Sequence, residues 1–167
     1  MKTLYLIRHA KSSWKYDHLA DIDRPLNKRG QRDAPEMGKR LKARGIYPDL
    51  MISSPANRAL TTCKTVADAL NYAHSDIKIE DTVYHGSESA LLKAVHSCND
   101  SVGILFLFGH NPGLTDFANE LTHSDIWNIP TCGIFGCTFD VDHWSEVKMG
   151  GGVRIFYDFP KSFKNGN

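Results

Sequence analysis

Residues 4–10 read Leu4-Tyr5-Leu6-Ile7-Arg8-His9-Ala10, an apolar run that ends in a cation and an imidazole. A second run, Ile104-Leu105-Phe106-Leu107-Phe108, is followed by Gly109-His110-Asn111-Pro112-Gly113. Continuous apolar runs of this length are typical of strands that are buried on both faces of a parallel sheet. In such a sheet the residues that follow the strands lie at one edge, where ligands bind. We therefore expect His9 and His110 to lie close together.

Strand-like and helix-like segments alternate along the rest of the chain. Apolar runs predict strands at 3–8, 50–52, 77–79 and 102–108. Periodic apolar positions predict helices at 29–44, with Gly45 as terminator, and at 59–70, 87–97 and 114–121, with Ser87 as a possible cap. Residues 133–159 predict a meander or hairpin around the glycines at 150–152. The pattern predicts a single α/β domain over residues 1–160, a three-layer α/β/α arrangement with a mostly parallel central sheet and helices on both faces. Residues 161–167 are expected to form a frayed tail.

Composition is ordinary for a globular protein, with 41% hydrophobic and 23% charged residues among 167. No apolar run approaches the ~20 residues of a membrane span, and no cleavage-site pattern follows the N-terminus, so we expect a cytoplasmic protein without a membrane partner. The four cysteines lack CxxC spacing, which predicts free thiols. Residues 1–64 carry 14 Lys and Arg against 6 Asp and Glu, which favours an anionic ligand without requiring nucleic acid. No exposed apolar face is evident, and a monomer is expected.

The strand at 50–52 has a polar end of its own. It is followed by Ser53-Ser54-Pro55-Ala56-Asn57-Arg58, which places Arg58 in the first turn of a helix. If the three strands are neighbours, Arg8, His9, Arg58 and His110 converge on one pocket. Guanidinium groups repel metal cations but match phosphate oxygens, and a neutral histidine can attack phosphorus to form a phosphohistidine. These residues predict a phosphatase or phosphotransferase that needs neither a metal nor another cofactor.

Three ordered motifs resemble those of the histidine phosphatase (phosphoglycerate mutase-like) superfamily. They are Leu6-Ile7-Arg8-His9-Ala10, then Ser53-Ser54-Pro55 with Arg58-Ala59 and Thr62, then Gly109-His110-Asn111-Pro112-Gly113. The segments Asp21-Ile22-Asp23-Arg24-Pro25-Leu26-Asn27-Lys28-Arg29-Gly30 and Pro130-Thr131-Cys132-Gly133 resemble, more narrowly, the small SixA-type phosphohistidine phosphatases. The resemblance covers most of the chain.

The resemblance implies a phosphoglycerate mutase-like fold and a role for each matching residue. His9 would be the nucleophile, Arg8 and Arg58 would bind the phosphate, and His110 would stabilise the transferring group. Arg24 and Asn111 are further candidates for phosphate binding. The implied activity is hydrolysis of phosphohistidine or of another small activated phosphate, with a phosphorylated protein or a small phosphorylated molecule as partner.

A general acid is harder to identify. Larger relatives carry a glutamate after the second motif, whereas residues 80–88 offer no clear match, and Glu80, Asp81, His85 and Glu88 are all possible acids. An alkyl phosphate ester needs such an acid, which contributes ~10²–10⁴ in rate. Phosphohistidine can leave with its nitrogen already protonated, so the sequence favours an activated phosphate.

Three other interpretations stay open at this point. The chain could be a phosphate-binding regulatory module without turnover, or a small-molecule phosphomonoesterase of the same superfamily. It could also be a metallohydrolase that uses His9, His110 and Asp21 or Asp23, although the neighbouring arginines favour a loop that positions Arg24. Segments 11–28 and 81–88 are expected to decide whether the cleft is open or closed, with Trp14 and Tyr16 as candidate rim residues.

Overall fold

The computed structural model describes residues 1–162. Its sheet has six strands: β1 (Lys2–Arg8), β2 (Leu50–Ser53), β3 (Lys78–Ile79), β4 (Ile104–Gly109), β5 (Ile134–Phe139) and β6 (Gly152–Asp158). Their order across the sheet is β3-β2-β4-β1-β5-β6. The strands from β3 to β1 are parallel to their neighbours, and only the pairs β1–β5 and β5–β6 are antiparallel. The predicted mostly parallel sheet is confirmed.

Within residues 1–162, four α-helices cover the two faces of the sheet: α1 (Lys28–Ala43), α2 (Asn57–Ala69), α3 (Glu88–His96) and α4 (Gly113–Thr122). Ile7 of β1 belongs to a buried cluster with Met37 of α1 and Val66 of α2. Leu6, one residue earlier, belongs to the opposite cluster with Phe117 of α4. Alternate side chains of a strand point to opposite faces, so residues 4–7 of β1 are all apolar because both faces of the strand are covered. The predicted three layers are confirmed.

Local signals in the sequence set the ends of the helices. The Asn27 side chain accepts a hydrogen bond from the Gly30 amide at 2.9 Å and caps α1, and the predicted cap Ser87 accepts one from Ala90 at 3.3 Å. Gly45 follows α1 with φ +68°, a conformation that favours glycine. These caps place the beginnings of α1 and α3 next to the carboxyl edge of the sheet.

The last third of the chain differs in one detail from the expectation. β5 and β6 form the predicted antiparallel pair, but residues 140–151 connect them and include a 3-10 turn at Trp144–Glu146. The glycines at 150–152 therefore lead into β6 rather than forming a tight hairpin turn. The four cysteines are buried and free, as predicted.

Two further expectations concern the chain as a whole. Within residues 1–162, none of the helices combines the length and apolar character that crossing a bilayer requires. From residue 163 onward, the tail predicted at 161–167 lies outside the described residues.

Candidate active site

The carboxyl ends of β2, β4 and β1 lie side by side because these strands are consecutive in the sheet. The rings of His9 and His110 are 5.1 Å apart, measured between their centroids. Both rings line a cleft of about 650 Å³, together with Arg8, Arg24 and Arg58. The structure thus brings together the two histidines and three arginines that the sequence singled out.

His9 is held as a neutral ring with a defined tautomer. Its Nδ1 lies 2.7 Å from the carbonyl oxygen of Ala10, and because a carbonyl only accepts, Nδ1 carries the hydrogen. The lone pair is therefore on Nε2. Burial, reinforced by the positive charges of Arg58 and Arg8, lowers the pKa of His9 to about 4. At neutral pH the side chain is uncharged, with a free lone pair on Nε2.

His110 is also neutral at neutral pH. Burial and then the proximity of His9 lower its pKa to about 3. Its Nε2 lies 2.8 Å from the Ser54 hydroxyl, which comes from the end of β2. Its Nδ1 is removed from solvent and has no hydrogen-bond partner among residues 1–162. A buried polar atom of this kind favours a ligand that supplies the missing partner.

Asp21 holds two of the arginines in place. Arg58 donates to the Asp21 carbonyl oxygen at 2.7 Å and to Oδ2 at 3.0 Å, while Arg24 donates to Oδ1 at 2.9 Å. The Tyr84 hydroxyl donates to Oδ2 as well. Hydrogen bonds from Tyr84, Arg24 and Arg58 hold the pKa of the Asp21 carboxyl well below its usual range. Asp21 is thus a positioning residue for the cationic side of the cleft.

This arrangement bears on the metallohydrolase interpretation. Both carboxylate oxygens of Asp21 accept hydrogen bonds from arginines, so a cation at that position would meet two guanidinium groups. Over residues 1–162, no group of three or more His, Cys, Asp or Glu side chains is placed to hold a metal ion. The geometry favours the alternative that the sequence also offered, a loop that positions Arg24.

Arg24 and Arg8 are fixed by their own contacts. Arg24 donates to the Ser13 carbonyl at 3.1 Å and to the Ser12 hydroxyl, and its guanidinium carbon lies 3.4 Å from the centre of the Trp14 ring. Arg8 donates to the Ile129 carbonyl at 2.9 Å. Such contacts reduce the conformational freedom that each arginine would lose on binding an anion.

Thr62 links two of the sequence motifs. Its hydroxyl accepts from the Ala10 amide at 2.9 Å and donates to the Arg58 carbonyl at 2.7 Å. The end of β1 and the first turn of α2 are therefore tied together at the point where His9 and Arg58 enter the cleft. Sequence reasoning named Thr62 only as part of a motif.

The candidate acids divide into two pairs. His85 and Glu88 line the cleft, whereas Glu80 and Asp81 do not. A hydrogen bond with Glu120 and, to a smaller extent, burial raise the pKa of the Glu88 carboxyl. Glu80 instead accepts from the Thr82 hydroxyl and faces Lys78. The geometry therefore leaves His85 and Glu88 as groups that can deliver a proton into the cleft.

Asn111 lines the cleft, but its amide is used elsewhere. Its Nδ2 donates to the Asn128 side chain and to the Ile129 carbonyl, both at 2.9 Å. Its Oδ1 accepts from the Thr115 hydroxyl at 2.8 Å. These bonds connect the start of α4 to the segment that holds Arg8.

Two segments form the walls of the cleft. Residues 11–28 contribute Lys11, Ser12, Trp14 and Arg24, and residues 81–88 contribute the stretch from Tyr84 to Glu88. The Trp14 side chain is 75% exposed and forms part of the rim, while Tyr16 packs against His18 instead. The exposed rim leaves the cleft open to solvent.

Comparisons with known proteins agree with this geometry. The family model for the histidine phosphatase superfamily (branch 1) matches residues 4–83. An uncharacterised chloroplastic protein of Arabidopsis thaliana is 30% identical over 154 residues, which span 87% of this chain and 70% of the plant protein.

Solved structures of SixA proteins share the fold. The protein histidine phosphatase SixA complexed with tungstate superposes with a TM-score of 0.82 at 21% identity, covering 96% of this chain and 99% of the other. A protein from Agrobacterium tumefaciens, provisionally assigned as phosphohistidine phosphatase SixA, gives 0.82 at 25% identity over 95% and 98% of the two chains.

Proposed function

We propose that this chain, which belongs to the histidine phosphatase superfamily (branch 1), removes the phosphoryl group from phosphohistidine through a covalent intermediate on His9. Membership of that family, together with the likeness to SixA structures, supports a phosphatase. The substrate, the intermediate and the independence from metal ions are the proposed part. One observation carries them: a neutral His9, with its lone pair on Nε2, lies beside His110 among three arginines.

The first half-reaction transfers the phosphoryl group to the enzyme. His9 Nε2 attacks phosphorus, and the bond from phosphorus to the substrate imidazole breaks as the new P–N bond forms. The positive charge that develops on the His9 ring is stabilised by the hydrogen bond from Nδ1 to the Ala10 carbonyl. The departing imidazole leaves neutral because it carries a proton already or receives one from His85 or Glu88.

The arginines supply the positive charge for this step. Phosphoryl transfer depends mainly on positioning and on stabilising charge at the equatorial oxygens. Arg8 and Arg58 bind those oxygens, and Arg24 adds a third cation. Fixed guanidinium groups thereby provide the stabilisation that a metal ion supplies in other phosphatases.

The second half-reaction returns the enzyme to its starting state. Water attacks phosphorus and the bond from phosphorus to Nε2 breaks. The proton that the water gives up returns to His85 or Glu88 where that residue donated one in the first half-reaction, and otherwise leaves with the inorganic phosphate. His110 assists both halves because a bound phosphoryl group supplies a partner for its unsatisfied Nδ1.

The substrate assignment is supported by the shape of the cleft. A phosphohistidine within a protein requires access for a polypeptide, and the exposed rim at Trp14 allows such access. The solved SixA proteins, one of which is described as a protein histidine phosphatase, have a chain length nearly the same as this one.

The test is to trap the intermediate. The wild type, His9→Ala and the control His74→Ala are mixed with a peptide whose phosphohistidine is radiolabelled, with and without chelator, and quenched in alkali. His74 is exposed and pairs with Asp68, away from the cleft. We expect label on wild type and His74→Ala, none on His9→Ala, and no effect of chelator. Turnover without label would overturn the covalent mechanism. Turnover that chelator abolishes would overturn the metal-free mechanism. Phosphate binding without turnover would indicate a regulatory module.

Glu88 supports a second candidate function, hydrolysis of small phosphate monoesters. Glu88 lines the cleft, and a hydrogen bond with Glu120 raises the pKa of its carboxyl, so among the possible acids named from the sequence it is the candidate to protonate an alkoxide leaving group. We expect Glu88→Gln to lower kcat on an alkyl phosphate by about 10²-fold while changing kcat on phosphohistidine less than tenfold. Parallel steady-state assays of the two substrates measure this, with Glu80→Gln as the matched control. Equal losses on both substrates would assign Glu88 a role other than leaving-group protonation.

A further inference from the structure

A second cavity, of about 430 Å³, opens beside the catalytic cleft. The two share Arg8, Lys11 and Thr131 as lining residues, while Arg29 and Lys161 line only the second one. We call this second space the side cavity. The shared residues place the side cavity next to the cleft that contains His9.

The side cavity is strongly positive. Its charged lining consists of one carboxylate, Asp33, and four cations, which are Arg8, Lys11, Arg29 and Lys161. Asp33 is itself shared between two arginines, Arg29 at 3.8 Å and Arg32 at 3.7 Å. A concave surface lined by one sign of charge concentrates ligands of the opposite sign.

Arg29 is held ready for an anion. Its Nη2 donates to the Thr131 hydroxyl at 3.1 Å, which fixes the guanidinium at the boundary between the two cavities. Its Nε is removed from solvent and lies 3.8 Å from the Asp33 carboxylate. A planar guanidinium held in this way matches the two oxygens of a carboxylate.

The rest of the lining suits binding rather than reaction. The side cavity contains no histidine or cysteine, so it lacks a nucleophile comparable with His9. Pro130, Phe159 and Pro160 add apolar surface to the lining. Trp127, which precedes the lining residue Asn128 in the sequence, is 97% exposed. Apolar and aromatic surface beside fixed cations fits an acidic stretch of polypeptide better than a free anion.

From these contacts we infer that the side cavity binds acidic side chains of the polypeptide substrate, on one flank of the phosphohistidine. This inference rests on the proposed function and adds sequence selectivity to it. Arg29 and Lys161 recognise the acidic flank, and Lys11 lies between that flank and the phosphoryl group.

Two phosphohistidine peptides test the inference. They are identical except that glutamates beside the phosphohistidine in one are glutamines in the other. We expect the wild type to prefer the Glu peptide by about fivefold in kcat/KM, as two partly exposed charge pairs would give, with a preference that declines as salt rises. In Arg29→Gln/Lys161→Gln the ratio should fall to near one. Lys39 lies on α1, as Arg29 does, but it is exposed and does not line the side cavity. Lys39→Gln should therefore keep the wild-type ratio.

A binding measurement separates this inference from the proposed function. Calorimetry with the unphosphorylated Glu peptide should show weaker binding to the double variant than to wild type or Lys39→Gln. If neither phosphopeptide is hydrolysed but this difference persists, the proposed function fails and the side cavity assignment stands. Three results would overturn the side cavity assignment. They are a wild-type ratio of kcat/KM near one between the two phosphopeptides, the same ratio in the double variant as in wild type, and peptide binding that neither substitution changes. The single variants Arg29→Gln and Lys161→Gln replace the double variant if circular dichroism shows that it is unfolded.

Discussion

His9 and His110 share one chemical property, a neutral imidazole in a buried and cationic setting. In the unfolded chain a histidine titrates near pH 6.5, whereas in the folded chain the pKa is about 4 for His9 and about 3 for His110. Between these values the unfolded state binds more protons than the folded state. The free energy of unfolding therefore rises with pH across this window. The contribution of the two histidines to it is lost as the pH falls from about 6.5 toward 4.

Urea unfolding at pH 7 and pH 5 measures this effect. We expect wild type to lose about 2 kcal/mol per buried histidine between the two pH values. In His110→Asn the loss should be smaller, since one of the two groups is gone. Lys39→Gln, which changes an exposed side chain that is not a histidine, should lose as much as wild type. A His110→Asn protein with the full wild-type pH dependence would show that burial of His110 does not control its protonation.

Asp21 marks a boundary of what the sequence could predict at this scale. His9, Arg58 and His110 were found from their positions after strands, because that signal is local. Asp21 was considered as a metal ligand or as part of a loop that positions Arg24, and its other two partners, Arg58 and Tyr84, lie 37 and 63 residues further along the chain. No local pattern relates residues at such separations, so its role emerges only from the folded geometry.

At the scale of elements, hydrophobic pattern was enough to find the strands and helices around the cleft. β1, β2 and β4 are apolar on both faces, and α1 and α3 begin at side-chain caps that can be read from the sequence. The connection between β5 and β6 was less predictable. Three consecutive glycines favour a tight turn, but Trp144 is completely buried and draws residues 140–151 back against the core.

Gly113 shows how closely two elements of the cleft approach. A Cβ atom built on Gly113, the first residue of α4, would lie 2.1 Å from the Gly86 carbonyl oxygen. We expect Gly113→Ala to push residues 84–88 away from α4, because two backbone segments must separate. Tm should fall by several degrees, and KM for phosphorylated substrates should rise about tenfold.

Thermal unfolding and steady-state kinetics check this expectation against Gly103→Ala. There the new Cβ would lie 3.3 Å from the end of the Asp49 side chain, so the expected change is much smaller. Equal effects of the two substitutions would argue against a steric role for Gly113.

Considered as a whole, the molecule is one α/β layer structure of the phosphoglycerate mutase-like type, as the sequence predicted. Its cations are gathered at one edge of the sheet, where Arg8, Arg24 and Arg58 line one cavity and Arg29 and Lys161 line the next. Like charges held this close repel one another. An anion bound between them should therefore stabilise the entire fold.

Tungstate, a tetrahedral oxyanion that resembles phosphate, makes that stabilisation measurable. At a free concentration 100 times its Kd, a ligand that binds only the folded state adds about 2.7 kcal/mol to the free energy of unfolding. For a chain of this size we expect Tm to rise by about 5–10 °C. At the same tungstate concentration, Tm should rise less in Arg58→Gln than in wild type. In Lys39→Gln it should rise as much as in wild type. Equal rises in wild type and Arg58→Gln would place the anion elsewhere.

The order of strands in the sheet has a consequence for biosynthesis. β1 is made before its two neighbours, β4 and β5, yet lies between them, and its pairing with β4 joins residues such as Leu4 and Leu105. During translation, the apolar side chains of β1 stay uncovered until most of the domain has left the ribosome. In that interval the nascent chain can bind chaperones or aggregate. His9, at the end of that strand, meets His110 only after this closure. The cleft that contains both histidines therefore forms only late in translation, together with the complete fold.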